Sequence, residues 1–215
     1  MKEEYYDIHT HIGKQRKDIY GDMEGNPREN FVLGLIEKYK ERIDKIVAFP
    51  MPGTAYFNYS NQEISDTSLS SFPYELENKA LVESVDRYDK ENKILPFVAI
   101  HPRVKISEQL TFLSRLKSSG RVFGIKFHTL DTNSTINDFF SDSEIVSFCE
   151  EEKLPVLVHS ANFDSVENCN DIFNWARRFP DINICIAHLM NFSSVFFANL
   201  KKYDKENLFT DISPF

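Results

Sequence analysis

Short, unbroken apolar runs separated by amphipathic stretches constrain this chain more than any other feature. Lys45-Ile46-Val47-Ala48-Phe49-Pro50 is the plainest, apolar at consecutive rather than alternate positions, as a strand covered on both faces requires. Comparable runs fall at 94–103, 121–128, 154–159, 182–188 and 207–211, and a shorter one opens the chain at 5–11. A helix is expected in every gap. Asn30 is placed to cap one reaching about residue 42, with Val32, Leu35, Ile36, Tyr39 and Ile43 at three- and four-residue steps. Others are expected over about 74–90, from Ser107 through Leu110, Leu113 and Leu116, and over 142–152, 165–178 and 193–202. Gly120 stands just past the helix from Ser107, where a left-handed cap is expected. Two connections are long. Residues 13–30 read as an active-site loop, and 53–73 as a solvated loop or a substrate lid.

Seven strands with helices between them imply parallel pairing through right-handed crossovers. The number of strands, and the polar residue closing nearly every one, favour an α/β fold of the (β/α)8 TIM-type barrel, with seven β/α strands visible and the eighth missing. The competing open doubly wound sheet is disfavoured, because no glycine-rich phosphate loop follows the first strand. The length suits a single domain, 1–215.

Composition excludes several classes of function. A net charge of −8 with no basic cluster argues against a nucleic-acid surface. Cys149, Cys169 and Cys185 are odd in number and widely spaced, which suits reduced thiols rather than a disulfide framework. No window approaches the roughly 18 apolar residues of a membrane span, and Met1-Lys2-Glu3-Glu4 leads straight into the first strand without an apolar signal region. The expected location is therefore the cytoplasm.

All six histidines fall at, or one turn past, the C-terminal end of an expected strand. His9 and His11 alternate on the first, so they share a face with Asp7, about 7 Å apart along the strand. His101 closes the third, followed by Arg103; Lys126 and His128 share a face at the end of the fourth. His159, His188 and Asp211 end the fifth, sixth and seventh. Scattered histidines would have put several on helices, and none falls there. Barrel enzymes carry their chemistry at these strand ends. Neutral imidazole suits zinc and similar ions, typically three protein ligands with a water whose pKa falls to about 7. Strands one and five oppose each other in an eight-stranded barrel, so His9, His11 and His159 can reach one ion. His188 is left for acid–base work or for holding substrate.

Asp7-Ile8-His9-Thr10-His11, Gly124-Ile125-Lys126-Phe127-His128, Val156-Leu157-Val158-His159-Ser160, Ile184-Cys185-Ile186-Ala187-His188-Leu189 and Asp211-Ile212-Ser213 together resemble the amidohydrolase superfamily of metal-dependent hydrolases. The match is to its branch with aminocarboxymuconate-semialdehyde decarboxylase and lactonase-type hydrolases. The resemblance implies a divalent ion, zinc first, on His9, His11 and His159, with His188 and Asp211 as catalytic candidates. Lys126, His128, His101 and Arg103 are the substrate-binding candidates. For Lys126 the family offers a carboxylated bridge between two metals or, in this branch, a hydrogen-bond donor; the residues alone read equally as an interior lysine paired with Asp7 or Asp211. Asp211 matches the family's seventh-strand Asp-x-Ser, whereas the aspartate completing the family's metal site lies on an eighth strand. The expectation is therefore a C-terminally incomplete barrel, belonging to a longer chain or closed by a second copy across the gap between strands one and seven.

The activity expected is hydrolysis, a metal-bound water directed at the carbonyl carbon of a small amide, lactone or ester. One alternative is decarboxylation of a small unsaturated or aromatic carboxylate gripped by Arg103. The other is a non-catalytic barrel that has lost the eighth-strand aspartate.

Overall fold

The computed structural model describes residues 6–12, 32, 34–36, 43–50, 57–58, 61–64, 67–68, 70–160, 166–188 and 194–211. The expected loop at 13–30, Leu189, and Ile212 and Ser213 of the last motif lie outside them. The chain divides into two compact units, Met1–Ala99 with Glu108–Phe123, and Ile100–Ser107 with Gly124–Phe215.

The first unit contains three strands in parallel order, β1 (Tyr6–Ile12), β2 (Lys45–Pro50) and β5 (Ile94–Ile100). Between β2 and β5 lie an antiparallel hairpin of two-residue strands, β3 (Phe57–Asn58) and β4 (Glu63–Ile64), and helix α1 (Glu75–Tyr88). Helix α2 (Ile106–Ser119) follows β5. From Ile46 onward every residue of β2 is buried, the two-sided cover that its unbroken apolar run called for. Its core gathers Ile12, Val32, Ile46, Ala48, Leu81, Val85 and Ile94, with Leu35, Ile36 and Ile43 packed against it. Full burial of each such aliphatic side chain contributes about 1.5–3 kcal/mol. Val32, Leu35 and Ile36 are helical, as their spacing predicts, and the rest of that expected helix up to residue 42 lies outside the described residues.

Gly120 corrects one expectation. Its backbone is not left-handed; instead a Cβ there would meet Val82 Cγ1 at 2.5 Å and Asp86 Oδ2 at 2.7 Å. Close approach to α1, not a special φ, requires the glycine. Asn78 on α1 is buried and binds the backbone of Ala99 twice, donating to its carbonyl and accepting its N–H, each at 2.8 Å. This amide ties the helix to the C-terminal end of β5.

The second unit has four parallel strands in chain order, β6 (Gly124–Phe127), β7 (Val156–Val158), β8 (Ile184–Ile186) and β9 (Leu208–Thr210). Helices α3 (Ile136–Phe140) and α4 (Ser143–Glu151) fill the first gap, α5 (Val166–Arg178) the second and α6 (Ser194–Leu200) the third. The register aligns Ile125, Val156, Ile184 and Leu208, then Lys126, Leu157, Cys185 and Phe209, then Phe127, Val158, Ile186 and Thr210. Alternate rows face opposite ways. The first and third rows are almost wholly aliphatic or aromatic, while the middle row carries a lysine and a cysteine. One face is core and the other holds chemistry.

Helix α3 was not expected within the polar stretch after His128. Five residues are too few to show a helical period, and the reason for the helix lies in its contacts. Phe139 stacks on Phe127 of β6 at 4.3 Å, and Asn137 receives the indole N–H of Trp175 on α5 at 2.6 Å. Among the described residues seven non-glycines have positive φ: Gln62, Tyr74, Asn92, Lys105, Asn133, Lys153 and His188. No helix among the described residues is long and apolar enough to cross a membrane.

Candidate functional site

His11, His101, His128, His159 and His188 stand at or just past the ends of their strands, whereas His9 falls in the middle of β1. In the first unit, β1 does not alternate strictly. Asp7 pairs with Ile46 but Thr10 with Ala48, so one extra residue bulges out between them. The Asp7 carboxylate turns back to accept the N–H of His9 at 3.0 Å. The expected shared face of Asp7 with the histidines is thus replaced by a bulge that Asp7 braces. The rings of His9 and His11 lie 5.3 Å apart, and Phe49 at the end of β2 meets both edge-on, at 5.0 and 4.4 Å. A fully buried phenyl ring against two imidazoles fixes both orientations.

In the second unit the sheet ladder runs on past the strands. His159 N–H donates to Phe127 O at 2.9 Å and Asp211 N–H to Ile186 O at 3.1 Å. His128 and His159 consequently stand side by side, rings stacked at 4.5 Å and 14°. The Asp131 N–H donates to Nδ1 of His128 at 3.4 Å and its carboxylate lies 3.0 Å from the same nitrogen, flanking that ring on the other side. His188 meets His159 edge-on, its Nε2 3.3 Å from Nδ1 of His159, so the pair shares one hydrogen. All three imidazoles are buried.

Lys126 is completely buried on the same face. Burial pushes its ammonium down to about 7, and Asp211 opposes this most strongly, ahead of Cys185 and Asp131. Of the pairings expected for this lysine, Asp211 is the one felt. Burial and the Asp211 charge push Cys185 up to about 12, against Lys126, so it remains a thiol and no nucleophile.

His101 and Arg103 occupy the turn after β5. His101 is wholly buried and its Nδ1 accepts the Arg103 N–H at 3.2 Å. Burial, reinforced by the Arg103 guanidinium and opposed by Asp138, pushes it down to about 4. Arg103 donates to the Asn133 carbonyl at 2.5 Å and lies 3.5 Å from Asp138. The sequence assigned no role to Asp131, or to Ser160, whose hydroxyl donates to the Ala187 carbonyl. Their one signal is position: each lies within three residues of a strand-end histidine.

Imidazole nitrogens grouped in this way are the donors that a divalent ion of the zinc type takes. Such donors are the paired rings of β1 in the first unit and, separately, His159 with His188 in the second.

No family model matches the chain, and no curated protein matches it. Solved structures do. A probable 2-pyrone-4,6-dicarboxylic acid hydrolase from Acinetobacter baumannii superimposes with a TM-score of 0.63 at 10% identity, covering 98% of this chain and 70% of that one. The fold is that of a TIM-type α/β barrel. A 4-oxalomesaconate hydratase from Rhodopseudomonas palustris matches with a TM-score of 0.58 at 14% identity, covering 97% of this chain and 73% of that one. An amidohydrolase 2 from Bifidobacterium longum subsp. infantis gives 0.52 at 12%, over 98% and 73%. These neighbours are enzymes, and at such identities the likeness is one of fold. Seven strands of the TIM-type barrel's β/α repeat are present among the described residues.

Proposed function

We propose that this chain is an amidohydrolase-type, metal-dependent hydrolase directing water at the carbonyl carbon of a small lactone, ester or amide. The observation that supports it most is the strand-end group of the second unit: stacked His128 and His159, His188 at 3.3 Å from His159, and buried Lys126 beside Asp211. In this reading His9, His11 and His159 hold the ion, zinc by the chemistry of its donors. When bound, such an ion supplies Lewis acidity and a water that ionises near neutral pH. His188 carries a proton to or from the reacting group. Lys126 donates to substrate oxygen, and His128, flanked by Asp131, packs beside it. Two of the neighbours are named for dicarboxylic acid or oxalomesaconate chemistry, and the first holds citric acid. A small substrate bearing carboxylates is therefore the first class to try.

A decarboxylase would need a guanidinium free to grip a carboxylate. Arg103 is engaged with the Asn133 carbonyl and Asp138, which favours the hydrolase. Metal analysis of wild type, His9→Ala and His101→Ala, with hydrolysis of carboxylated lactones, tests the proposal. The ion should be lost in His9→Ala and kept in His101→Ala. Equal retention in both would refute the ligand assignment, and carbon dioxide release without hydrolysis would refute the reaction.

A further inference from the structure

The peptide group joining Ala187 to His188 is held at both ends. Its carbonyl accepts the hydroxyl of Ser160, and its N–H donates to Asp211 Oδ1 at 2.7 Å. Ser160 lies just past β7 and Asp211 just past β9. The strands flanking β8 thus each send one buried side chain to the same peptide. The residue so held has φ 59°, in the left-handed region. That conformation is strained for a non-glycine residue and persists only where its surroundings enforce it. Relaxation to negative φ would turn the ring of His188 away from Nδ1 of His159, now 3.3 Å distant.

We propose that Ser160 and Asp211 form a two-sided clamp on the 187–188 peptide that holds His188 left-handed and aims its ring at His159. Both are positioning residues, and Asp211 acts through His188 rather than on substrate. The inference deepens the functional reading and rests on it for the role of His188, while the clamp itself is a matter of geometry. A turn cap of merely structural value would leave the imidazole signals of a folded variant unchanged. Asp211 also faces Lys126 electrostatically, so its acceptor role and its charge have to be separated.

The test uses the full chain, zinc-loaded and zinc-free, as Ser160→Ala, Ser160→Thr, Asp211→Ala and Asp211→Asn. The readouts are the imidazole nitrogen resonances of His159 and His188, φ at 188 in crystal structures, and kcat and KM on a hydrolysed substrate. Both alanine variants should move φ at 188 to negative values, shift the two imidazole signals and lower kcat about 100-fold with KM little changed. Ser160→Thr keeps the donor and Asp211→Asn keeps a carbonyl acceptor, so both should retain the left-handed φ and the imidazole signals. Wild-type φ and signals in the two alanine variants would overturn the clamp. So would an Asp211→Asn variant that matches Asp211→Ala, since the charge would then be what acts. Should the wild type turn over no substrate, the functional reading fails, and φ with the imidazole signals still decides the clamp.

Discussion

His101 is the residue whose chemistry is most firmly set by its surroundings. It is wholly buried, it accepts a backbone N–H through Nδ1, and it titrates at about 4. An unfolded histidine titrates near 6.5, so between pH 6.5 and 4 the unfolded chain takes up a proton that the folded one refuses. Its contribution is fully present above pH 6.5 and is lost on acidification through that window, by about 3 kcal/mol at the limit. His101→Asn places an amide oxygen where Nδ1 stood and should flatten the fall in urea-unfolding free energy between pH 7 and 4. Parallel curves for the two proteins would count against the assignment. Asn207 offers a second case. Its amide faces the carbonyls of Ala176, Phe179 and Ile182 at 2.9–3.0 Å. Asn207→Asp, isosteric but turning a donor into a charge against three acceptors, should lower stability by about 3 kcal/mol or more, read by thermal or urea unfolding. At this scale the histidines were legible in the sequence because residue type and strand end coincide. The left-handed backbone of His188 and the reach of Ser160 were not, since both depend on neighbours 23 to 27 positions away.

Between elements, Arg121 does most of the tying. It donates to the Val85 and Asp89 carbonyls at the end of α1, at 2.9 and 3.0 Å, and to Asp86, Asp89 and Asn92 side chains. The Asp89 carboxylate in turn accepts the N–H groups of Lys93 and Ile94, where β5 begins. A helix end, a turn and a strand start therefore depend on one guanidinium. Arg121→Ala should cost about 3 kcal/mol in chemical denaturation, and Arg121→Lys should recover less than half, because an ammonium cannot reproduce the forked contacts. Full recovery by lysine would show that charge alone matters. All seven parallel strands were legible, since an apolar run such as 45–50 survives in sequence whatever packs on it. The β3–β4 hairpin and α3 were not, because elements of two to five residues carry no period and are specified by partners such as Phe127 and Trp175.

For the molecule as a whole, the proposed ion should act as a stabiliser. A ligand that binds only the folded state, present at 100 times its dissociation constant, adds about 2.7 kcal/mol. In a chain of this size that raises the melting temperature by roughly 5–10 °C. A chelator should remove the increment from the wild type and leave His9→Ala unchanged. A wild type that melts identically with and without chelator would contradict the proposed ion. The chain is also sparing with glycine, seven in 215 residues, and sets other residues in left-handed positions. Lys153 is one: exposed, with φ 52°, it follows α4 where Leu154 N–H reaches back to Cys149 O at 2.9 Å. Glycine there should gain about 1 kcal/mol. A laboratory selection for heat resistance alone would accept that exchange and, by the same logic, drift toward glycine at 188. A selection for turnover would accept the first and refuse the second, so position 188 is where the two selections would diverge.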